Sequence, residues 1–363
     1  MEGYSGADYV EKNQVKNMGC FCCPNRCMNF FSKPGIGKGL TSCEPFSGFT
    51  GAVWNLDMDT FLEATLMVNK LGLDCTETSA AISLLMELYH DKIITEKETD
   101  GIAMERGSKE AILGTIRKIA HREGYGDLLA EGPKVFAEKI GPDALEKVDI
   151  VKGLAPHAYE FRAYKGTGLM QAVGHRGDPL PLRGSLLEVD WNHAPDWFQQ
   201  VAQEQFGDAE AAIPTSYKGK AFSTILSEHM ERVADNLGIC KWLYGLFIYY
   251  DVNMATEVFN LVTGKDWDVP RLLKISERVR NLERMFDVRQ GLTRKDDSLP
   301  KKFFEEPLKK GKFEGEVLDR DKFEAMKDEY YTLRGWDKET GIPTREKLEE
   351  LDLKDVADEV LKA

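Results

Sequence analysis

The chain has 363 residues, of which 42% are hydrophobic and 30% are charged, and its formal net charge is −13. This length can bury a large core in two or more folding units, and the acidic balance argues against a nucleic-acid binder. No apolar run reaches the roughly 20 residues that cross a bilayer, and the polar start, MEGYSGADYVEKNQ, is unlike a signal peptide. We therefore expect a cytoplasmic protein, in a compartment where thiols stay reduced.

Four of the seven cysteines lie within the stretch GCFCCPNRCMNFF, residues 19–31. Cys20, Cys23 and Cys27 form a C-x2-C-x3-C motif, and clustered thiolates select zinc or an iron–sulfur cluster. Cys22 is the odd member, because neighbouring residues rarely both reach one metal. An Fe4S4 cluster accepts three clustered thiolates and one remote thiolate. The candidates for the remote ligand are Cys43, Cys75 and Cys240.

Most of the chain has the periodicity of helices. Apolar residues recur at helical spacing, and few segments alternate with a period of two, so little sheet is expected. The predicted helices are 60–73, 78–92, 108–123 (with Ser108 as N-cap), 128–140, 196–206, 222–236, 242–262, 269–289, 321–333 and 344–351. Residues 151–185 have no clean period and are rich in glycine, proline and aromatic residues, which predicts a structured loop region that carries binding groups.

Two short segments, NKLGLD at 69–74 and DNLGIC at 235–240, resemble each other. Each places a polar residue at a helix end, then a glycine that permits a left-handed turn, then an apolar residue and a residue that can bind metal. Either segment alone is an ordinary helix C-cap. Together, with Cys240 closing the second, they suggest two equivalent half-sites around one symmetrical ligand.

This pair of segments, after an N-terminal C-x2-C-x3-C motif, resembles the tungsten-containing aldehyde ferredoxin oxidoreductases. Three longer stretches resemble the same family in the same order: IAHREGYGDLLAEGPKVFAEKIG, VKGLAPHAYEFRAYKGTGLMQAVGHRGD and YYTLRGWDKETGIPTREKLEELDL. The resemblance runs from about Cys20 to about Leu353. It implies a mainly α fold with little sheet and two helical domains. Residues 1–150 would hold the cysteine loop and the first segment, and residues 151–363 the second segment and the tail.

The resemblance also implies the cofactors. Cys20, Cys23 and Cys27 would hold an Fe4S4 cluster, with Cys240 as the remote fourth thiolate. A bis-pterin cofactor carrying tungsten or molybdenum would lie close to the cluster. Carboxylates and amides accept hydrogen bonds from pterin amino groups, and glycine lets the ring approach the backbone. The residues implied to contact the cofactor are Asn69, where the pattern often has Asp, Gly72, Leu73, Asp74, Asp235, Gly238, Ile239, Arg162 and Arg176.

The resemblance implies two candidates for proton handling, which a carboxylate near the metal can perform. Glu44 lies about as far after the first cluster cysteine as the family's acidic residue does. The family's histidine would follow an "RG-x-x-H" motif, but the chain has Leu180 there. His175, on the other side of the arginine, is the candidate catalytic histidine, and His193 is a second. This departure counts against simple aldehyde oxidation.

Cys43 lies beside Glu44, where a thiolate could become a direct tungsten ligand. One branch of the family, the tungsten subunit of the ATP-independent benzoyl-coenzyme A reductases, carries out low-potential aromatic reduction with a cysteine-ligated metal. We therefore expect aldehyde oxidation first and aryl-coenzyme A reduction second. A non-catalytic electron-relay or scaffold subunit is a third hypothesis. A simple zinc module is a fourth, and it leaves the other motifs unexplained.

The resemblance finally implies partners. Family members have a further, mainly sheet domain before the cysteine loop, which forms much of the cofactor cradle. In this chain Met1 lies only nineteen residues before Cys20. A half-cradle would leave a large apolar interface in water. We therefore expect a separate polypeptide that carries the missing domain, with ferredoxin or electron-transfer subunits as acceptors and a small-molecule substrate.

Overall fold

The structure is a computed structural model, and it describes residues 14–156, 160–177, 188, 200, 202–204, 207–240 and 252–361. The chain divides into two compact units, Met1–Ala158 and Tyr159–Ala363. Helices account for most of the described structure, and the strands form a three-stranded sheet, so the prediction of a mainly α fold with little sheet is confirmed. Within those ranges, no helix has the length and apolar character needed to cross a bilayer.

The first unit begins with an antiparallel sheet in the order β1–β2–β3. Its strands are β1 (Gln14–Met18), β2 (Met28–Lys33) and β3 (Gly37–Thr41). Phe31 lies on the inner face, where it is fully buried. Gly39 pairs with Phe31, and a Cβ at Gly39 would come within 3.2 Å of Leu66. The missing side chain therefore lets the sheet pack closely against the helices.

The helices of the first unit follow the sheet directly. They are α1 (Cys43–Phe46), a π-helix (Ser47–Ala52), α2 (Met58–Leu71), α3 (Cys75–His90), α4 (Lys109–His121), α5 (Tyr125–Ala130), α6 (Pro133–Ile140) and α7 (Pro142–Leu145). Asp57, Asp74 and Ser108 cap the start of α2, α3 and α4, each accepting a backbone N–H of the first turn. The prediction that Ser108 is an N-cap is confirmed.

The core of the first unit is largely apolar. Phe61 on α2, Leu85 on α3 and Ile112 on α4 are fully buried in one cluster. Gly48 of the π-helix packs closely on α3, because a Cβ there would lie 2.5 Å from Ser79 Oγ. This contact holds the α1–π segment against the first turns of α3.

The second unit is helical in all of its described elements. They are α8 (Lys165–Val173), a 3-10 turn (Ala209–Ala212), α9 (Lys220–Asn236), α10 (Val252–Thr263), α11 (Val269–Arg289), a 3-10 turn (Arg294–Asp296), α12 (Lys302–Glu305), α13 (Arg320–Arg334), α14 (Arg345–Glu350) and α15 (Lys354–Val360). Helix α9 packs against α8, α11 and α13. It therefore occupies the centre of this unit.

The interior around α9 is charged. Glu228 is fully buried and accepts hydrogen bonds from Arg280 Nε at 3.0 Å and Tyr330 Oη at 2.7 Å. Arg334, also fully buried, pairs with the same carboxylate. Burial alone would raise the pKa of Glu228, but the two guanidinium groups hold it well below its ordinary value. Glu228 is therefore ionised, and it joins α9 to α11 and α13.

Several predicted elements differ from the structure. The region 151–185 is not only loop: Lys165–Val173 forms a helix whose nine residues are all buried. A helix that is buried on every side does not alternate between apolar and polar faces, so its sequence lacks the helical period by which helices were predicted. Neither the strands at 14–41 nor the helical segment at 43–52 was predicted. The predicted helix 196–206 and the first part of 242–262 lie largely outside the described residues.

Candidate functional site

The cysteine loop connects β1 to β2 at one end of the sheet, so the hairpin fixes both of its ends. Cys23 N–H donates to the Cys20 carbonyl oxygen at 3.0 Å, which closes a tight turn. Two non-glycine residues of the loop have left-handed backbone, Cys22 with φ 58° and Arg26 with φ 45°. Such conformations are costly and cluster at ligand sites. The loop backbone is therefore strained at Cys22 and Arg26.

The loop thiols face outward. Cys20, Cys22 and Cys27 are exposed and Cys23 is half-buried. A cavity of about 470 Å³ is lined by Cys20, Cys22 and Cys23 together with Lys16 and Arg26, among others. In the described ranges, no three His, Cys, Asp or Glu side chains converge as one metal ion requires. The thiol donor set of the loop fits an iron–sulfur cluster, whose thiolates bind separate irons.

The first pterin-type segment forms the junction between α2 and α3. Gly72 ends α2 with φ 69°, and Leu73 N–H donates to the Val68 carbonyl oxygen at 3.0 Å. Asp74 then caps α3, because its Oδ1 accepts the Glu77 N–H at 2.8 Å. The capping bond fixes the carboxylate at the start of α3.

The second pterin-type segment forms the end of α9 with the same backbone pattern. Gly238 has φ 68°, and Ile239 N–H donates to the Ala234 carbonyl oxygen at 2.9 Å. The bond from the residue after the glycine to the carbonyl five positions earlier is the mark of the Schellman cap in both segments. Asp235 and Cys240 are exposed. Each unit therefore presents one open cap with the same geometry.

Both caps leave room for a ligand at the glycine. Among the residues that the structure describes, none places an atom within 4 Å of a Cβ built on Gly72 or on Gly238. Asn69, the counterpart of Asp235, is also exposed, and its Nδ2 makes a long 3.4 Å contact with the Leu40 carbonyl oxygen. A flat ring could therefore approach either backbone turn with a polar side chain beside it.

Glu44 lies on α1, next to the start of α3. Ser42 Oγ donates to Glu44 Oε2 at 2.5 Å. Burial raises the pKa of the Cys75 thiol, and the neighbouring carboxylates of Asp74 and Glu44 raise it further. The structure thus brings Glu44 close to the first pterin-type segment. Cys43, beside Glu44, is exposed.

His175 follows α8 in the second unit. Its Nδ1 lies 3.7 Å from Glu283 Oε2 and 3.5 Å from Arg232 Nη2. Burial lowers the pKa of His175 to about 4, with nearby arginines adding to the effect and Glu283 opposing it. The imidazole is therefore neutral near pH 7, and it is a weak general base there. His193 and Leu180 lie outside the described residues.

The two candidate arginines differ in their exposure. Arg162 uses all three of its nitrogens, donating to both Glu160 carboxylate oxygens at 2.7 and 2.9 Å and to the Glu306 carbonyl oxygen at 2.8 Å. Arg176 is exposed and lies near His175.

Sequence reasoning missed the group that fixes the start of α8. Glu188 is buried and accepts the N–H groups of Gly166 at 3.0 Å and Thr167 at 2.7 Å. It also pairs with Lys220, which is fully buried. Because α8 leads directly to His175, this buried pair helps to position the loop that carries the histidine. No local sequence signal pointed to it, since its partners lie about 20 to 30 residues away in the chain.

Comparison with known proteins identifies the family of this chain. Residues 1–353 match the family model "Aldehyde ferredoxin oxidoreductase, domains 2 & 3". A tungsten-containing aldehyde ferredoxin oxidoreductase of Pyrococcus furiosus is 32% identical over 354 residues, which are 96% of this chain and 54% of that protein. The aliphatic sulfonate oxidoreductase, WOR-like subunit, of the same organism is 28% identical over 93% of this chain and 50% of its own length. The chain spans about half the length of the curated relatives it matches.

A solved structure has the same fold. The active site complex BamBC of benzoyl coenzyme A reductase, in complex with 1,5 dienoyl-CoA, has a TM-score of 0.82 at 21% identity. The match covers 98% of this chain and 55% of that one. The family model and the relatives together cover nearly every residue of the chain. The chain belongs to the aldehyde ferredoxin oxidoreductase family and corresponds to its domains 2 and 3.

Proposed function

We propose that this chain is a subunit of a tungsten-pterin and Fe4S4 oxidoreductase that oxidises an aldehyde to a carboxylate. Electrons would pass through the cluster to ferredoxin or to a partner subunit. The observation that carries the proposal is the pair of open helix caps, at Gly72 and at Gly238, with one backbone geometry. Two such caps match the two pterins of a bis-pterin cofactor, and relatives of this chain are tungsten-containing enzymes.

The cluster would be held by Cys20, Cys23 and Cys27 of the loop and by Cys240 after the second cap. When bound, the cluster supplies a one-electron relay. The exposed positions of three of these thiols leave them accessible for ligation. Cys22 would not be a ligand, since it directly precedes Cys23.

The pterins would be held by the polar groups beside the two caps. When bound, the tungsten centre supplies the two-electron oxidation. In the first segment Asn69 and Asp74 flank Gly72 and Leu73, and in the second Asp235 precedes Gly238 and Ile239. Arg176 would bind an anionic group of the cofactor, and Arg162 would act mainly by holding its own loop through Glu160.

Proton handling would fall to Glu44. The Ser42 hydroxyl fixes one oxygen of this carboxylate, and the π-helix that follows α1 packs against α3. His175 would serve as a neutral hydrogen-bonding group rather than as an acid, because its pKa is lowered to about 4. Glu44→Gln should therefore reduce turnover by roughly a hundredfold, the scale of general acid–base catalysis, with metal retained.

The test of the proposal is metal analysis of cysteine variants. The purified protein should contain tungsten and about four irons per chain, the content of one Fe4S4 cluster. Cys240→Ser should damage the cluster as much as Cys23→Ser, and Cys22→Ser should leave it assembled. Zinc alone in the purified protein, or an intact cluster spectrum in the Cys240 variant, would overturn the assignment.

A second candidate function is low-potential reduction of an aryl-coenzyme A substrate. The observation that favours it is the exposed Cys43 thiol on α1, directly beside Glu44. A thiolate there could be a soft ligand of the metal. Cys43→Ala would then lower the sulfur count around the metal in X-ray absorption and abolish activity. If aldehyde oxidation is the function, the same variant should be nearly silent.

A third candidate, from another class, is an electron-relay or scaffold subunit without tungsten. Retention of both open caps argues against it, since a relay needs no pterin contacts. Iron without tungsten in the purified protein would favour it. In either case we propose that the family's N-terminal domain completes the cofactor site, because this chain corresponds to domains 2 and 3 of the family. Addition of a polypeptide with that domain to the purified protein should increase its cofactor content.

A further inference from the structure

The hydroxyl of Ser42 does not have the role that its position in the fold predicts. Ser42 is the N-cap residue of α1, with extended backbone, but its side chain accepts no N–H from the first turn of that helix. A serine at this position ordinarily accepts the backbone N–H of the second or third helical residue. In α1 the third residue is Pro45, which has no N–H. The proline therefore removes one of the two donors that a capping serine uses.

Ser42 donates its hydroxyl to a carboxylate instead. Its Oγ lies 2.5 Å from Oε2 of Glu44, and both residues are half-buried. A hydrogen bond from a hydroxyl to an ionised carboxylate is shorter and stronger than one between neutral groups. The partners are only two positions apart, so the bond is compatible with few rotamers of Glu44. It therefore selects one orientation of the carboxylate.

The main chain that carries Glu44 is held by other hydrogen bonds. Ser47 Oγ donates to the Glu44 carbonyl oxygen at 3.0 Å. Ser83 Oγ of α3 donates to the Ala52 carbonyl oxygen, at the end of the π-helix, at 2.9 Å. With the backbone of α1 and the π-helix held in this way, the side-chain torsions of Glu44 are the main freedom that remains. The bond from Ser42 restricts those torsions.

We propose that Ser42 is a positioning residue, which holds the carboxylate of Glu44 in the orientation that proton handling requires. The inference rests on the proposed function, in which Glu44 moves the proton. A general acid or base must lie within hydrogen-bond distance of that proton, and a glutamate loses rotamer freedom when it is ordered there. Because Ser42 already restricts Glu44, less ordering remains for the reactive complex.

The first test measures turnover of acetaldehyde and benzaldehyde with benzyl viologen as electron acceptor. It uses the purified protein with whatever cofactors and polypeptides it retains. Ser42→Ala should lower kcat about tenfold and leave KM nearly unchanged, because the bond orients a reacting group and does not bind substrate. Ser42→Thr keeps the hydroxyl and should retain kcat. Ser47→Ala is the matched control, since its hydroxyl donates to the backbone oxygen of Glu44, and it should also retain kcat.

Two double-variant comparisons test whether Ser42 acts through Glu44. In the Glu44→Gln background, Ser42→Ala should lower kcat by no more than about twofold, whereas an independent structural defect would repeat the tenfold loss. The second comparison follows urea unfolding and needs no cofactor. Ser42→Ala should raise the unfolding equilibrium constant about tenfold in the parent and much less in the Glu44→Ala background.

The outcomes separate this inference from the proposed function. Tungsten and iron are measured for every variant, and loss of metal in Ser42→Ala would overturn the inference, since Ser42 would then act on cofactor binding. Full kcat in Ser42→Ala, with Glu44→Gln impaired, overturns the inference and leaves the proposed function intact. Unfolding constants without coupling between the two residues do the same. If Glu44→Gln retains full turnover, or the parent oxidises neither aldehyde, the proposed function fails and the positioning role fails with it.

Discussion

The two units support their helix caps with different interactions. In the first unit, α1 and the cap at Gly72 rest on a largely apolar core that includes Phe61 and Leu85. In the second unit, α9, the helix that precedes the cap at Gly238, is joined to its neighbours through the buried charge of Glu228. The two caps have the same geometry, but hydrophobic packing supports the cap at Gly72 and ion pairs support the cap at Gly238.

The buried ion pairs of the second unit also help to position the loop that carries His175. Arg280 Nη2 donates to the Val173 carbonyl oxygen at 2.7 Å, at the last residue of α8. Its Nε pairs with Glu228 at 3.0 Å. Because His175 follows two residues after Val173, the ion pair helps to fix the loop of the histidine. In the second unit, buried charged side chains therefore hold the backbone at the end of α8.

The largest expected effect comes from removing the central charge. Glu228→Gln leaves Arg280 and Arg334 buried with less compensation, and breaking such a pair costs about 3–5 kcal/mol. Urea unfolding followed by intrinsic fluorescence should show this loss in the transition of the second unit. Tyr330→Phe is a milder control, since it removes one neutral donor to the same carboxylate. A loss of unfolding free energy below about 1 kcal/mol would mean that Arg280 and Arg334 become hydrated in the variant.

The apolar core of the first unit should respond differently. Leu85→Ala removes a fully buried side chain of α3 and should cost about 2–5 kcal/mol. No titrating group is involved, so the loss should be the same at pH 5 and pH 8. A loss that depends strongly on pH would contradict the view that packing alone supports this unit.

The contrast also explains what could be predicted from the sequence. Helices α2, α3 and α4 of the first unit were predicted because their apolar residues recur with helical period, and Ser108 marked a start that the structure confirms. Helix α8 was missed because all of its residues are buried, which removes the period. The pairing of Glu228 with Arg280 and Arg334 joins residues 52 and 106 positions apart, and no local pattern reveals such partners.

The candidate site shows the same limit. The resemblance of NKLGLD to DNLGIC was visible in the sequence, because a glycine with left-handed backbone leaves a local signature. The approach of Glu44 to Asp74 and Cys75 was not visible, since it depends on how the π-helix packs on α3. The roles of the cysteines and of Glu44 remain predictions, which the metal analysis and the turnover measurement above test, and the role of His175 also remains a prediction.

Acid should destabilise the second unit before the first. Glu277 accepts from His229 at 2.6 Å and pairs with Arg334. Burial would raise its pKa, but these partners lower it to about 2 from an ordinary 4.5. Its contribution to stability is therefore full above pH 4.5 and is lost as pH falls from 4.5 toward 2. Glu277→Gln should remove on the order of 2 kcal/mol of this acid dependence, read from unfolding free energies across that range. Equal acid sensitivity in the variant and the parent would contradict the assignment.

The substitutions with the smallest expected effect on stability give the most direct test of whether the two caps bind the pterins. Gly72→Ala and Gly238→Ala each place a Cβ on a residue with φ near 70°, which costs roughly 1–2 kcal/mol. Gly264→Ala is a matched control, because Gly264 follows α10 with φ 68° and has equally open surroundings. All three variants should lose similar stability by thermal unfolding. If the caps at Gly72 and Gly238 receive the pterins, only those two should also lose tungsten and pterin, since the added methyl groups block the approach of a ring to the backbone. Equal cofactor content in all three variants would remove the caps from the cofactor site, whatever their cost in stability.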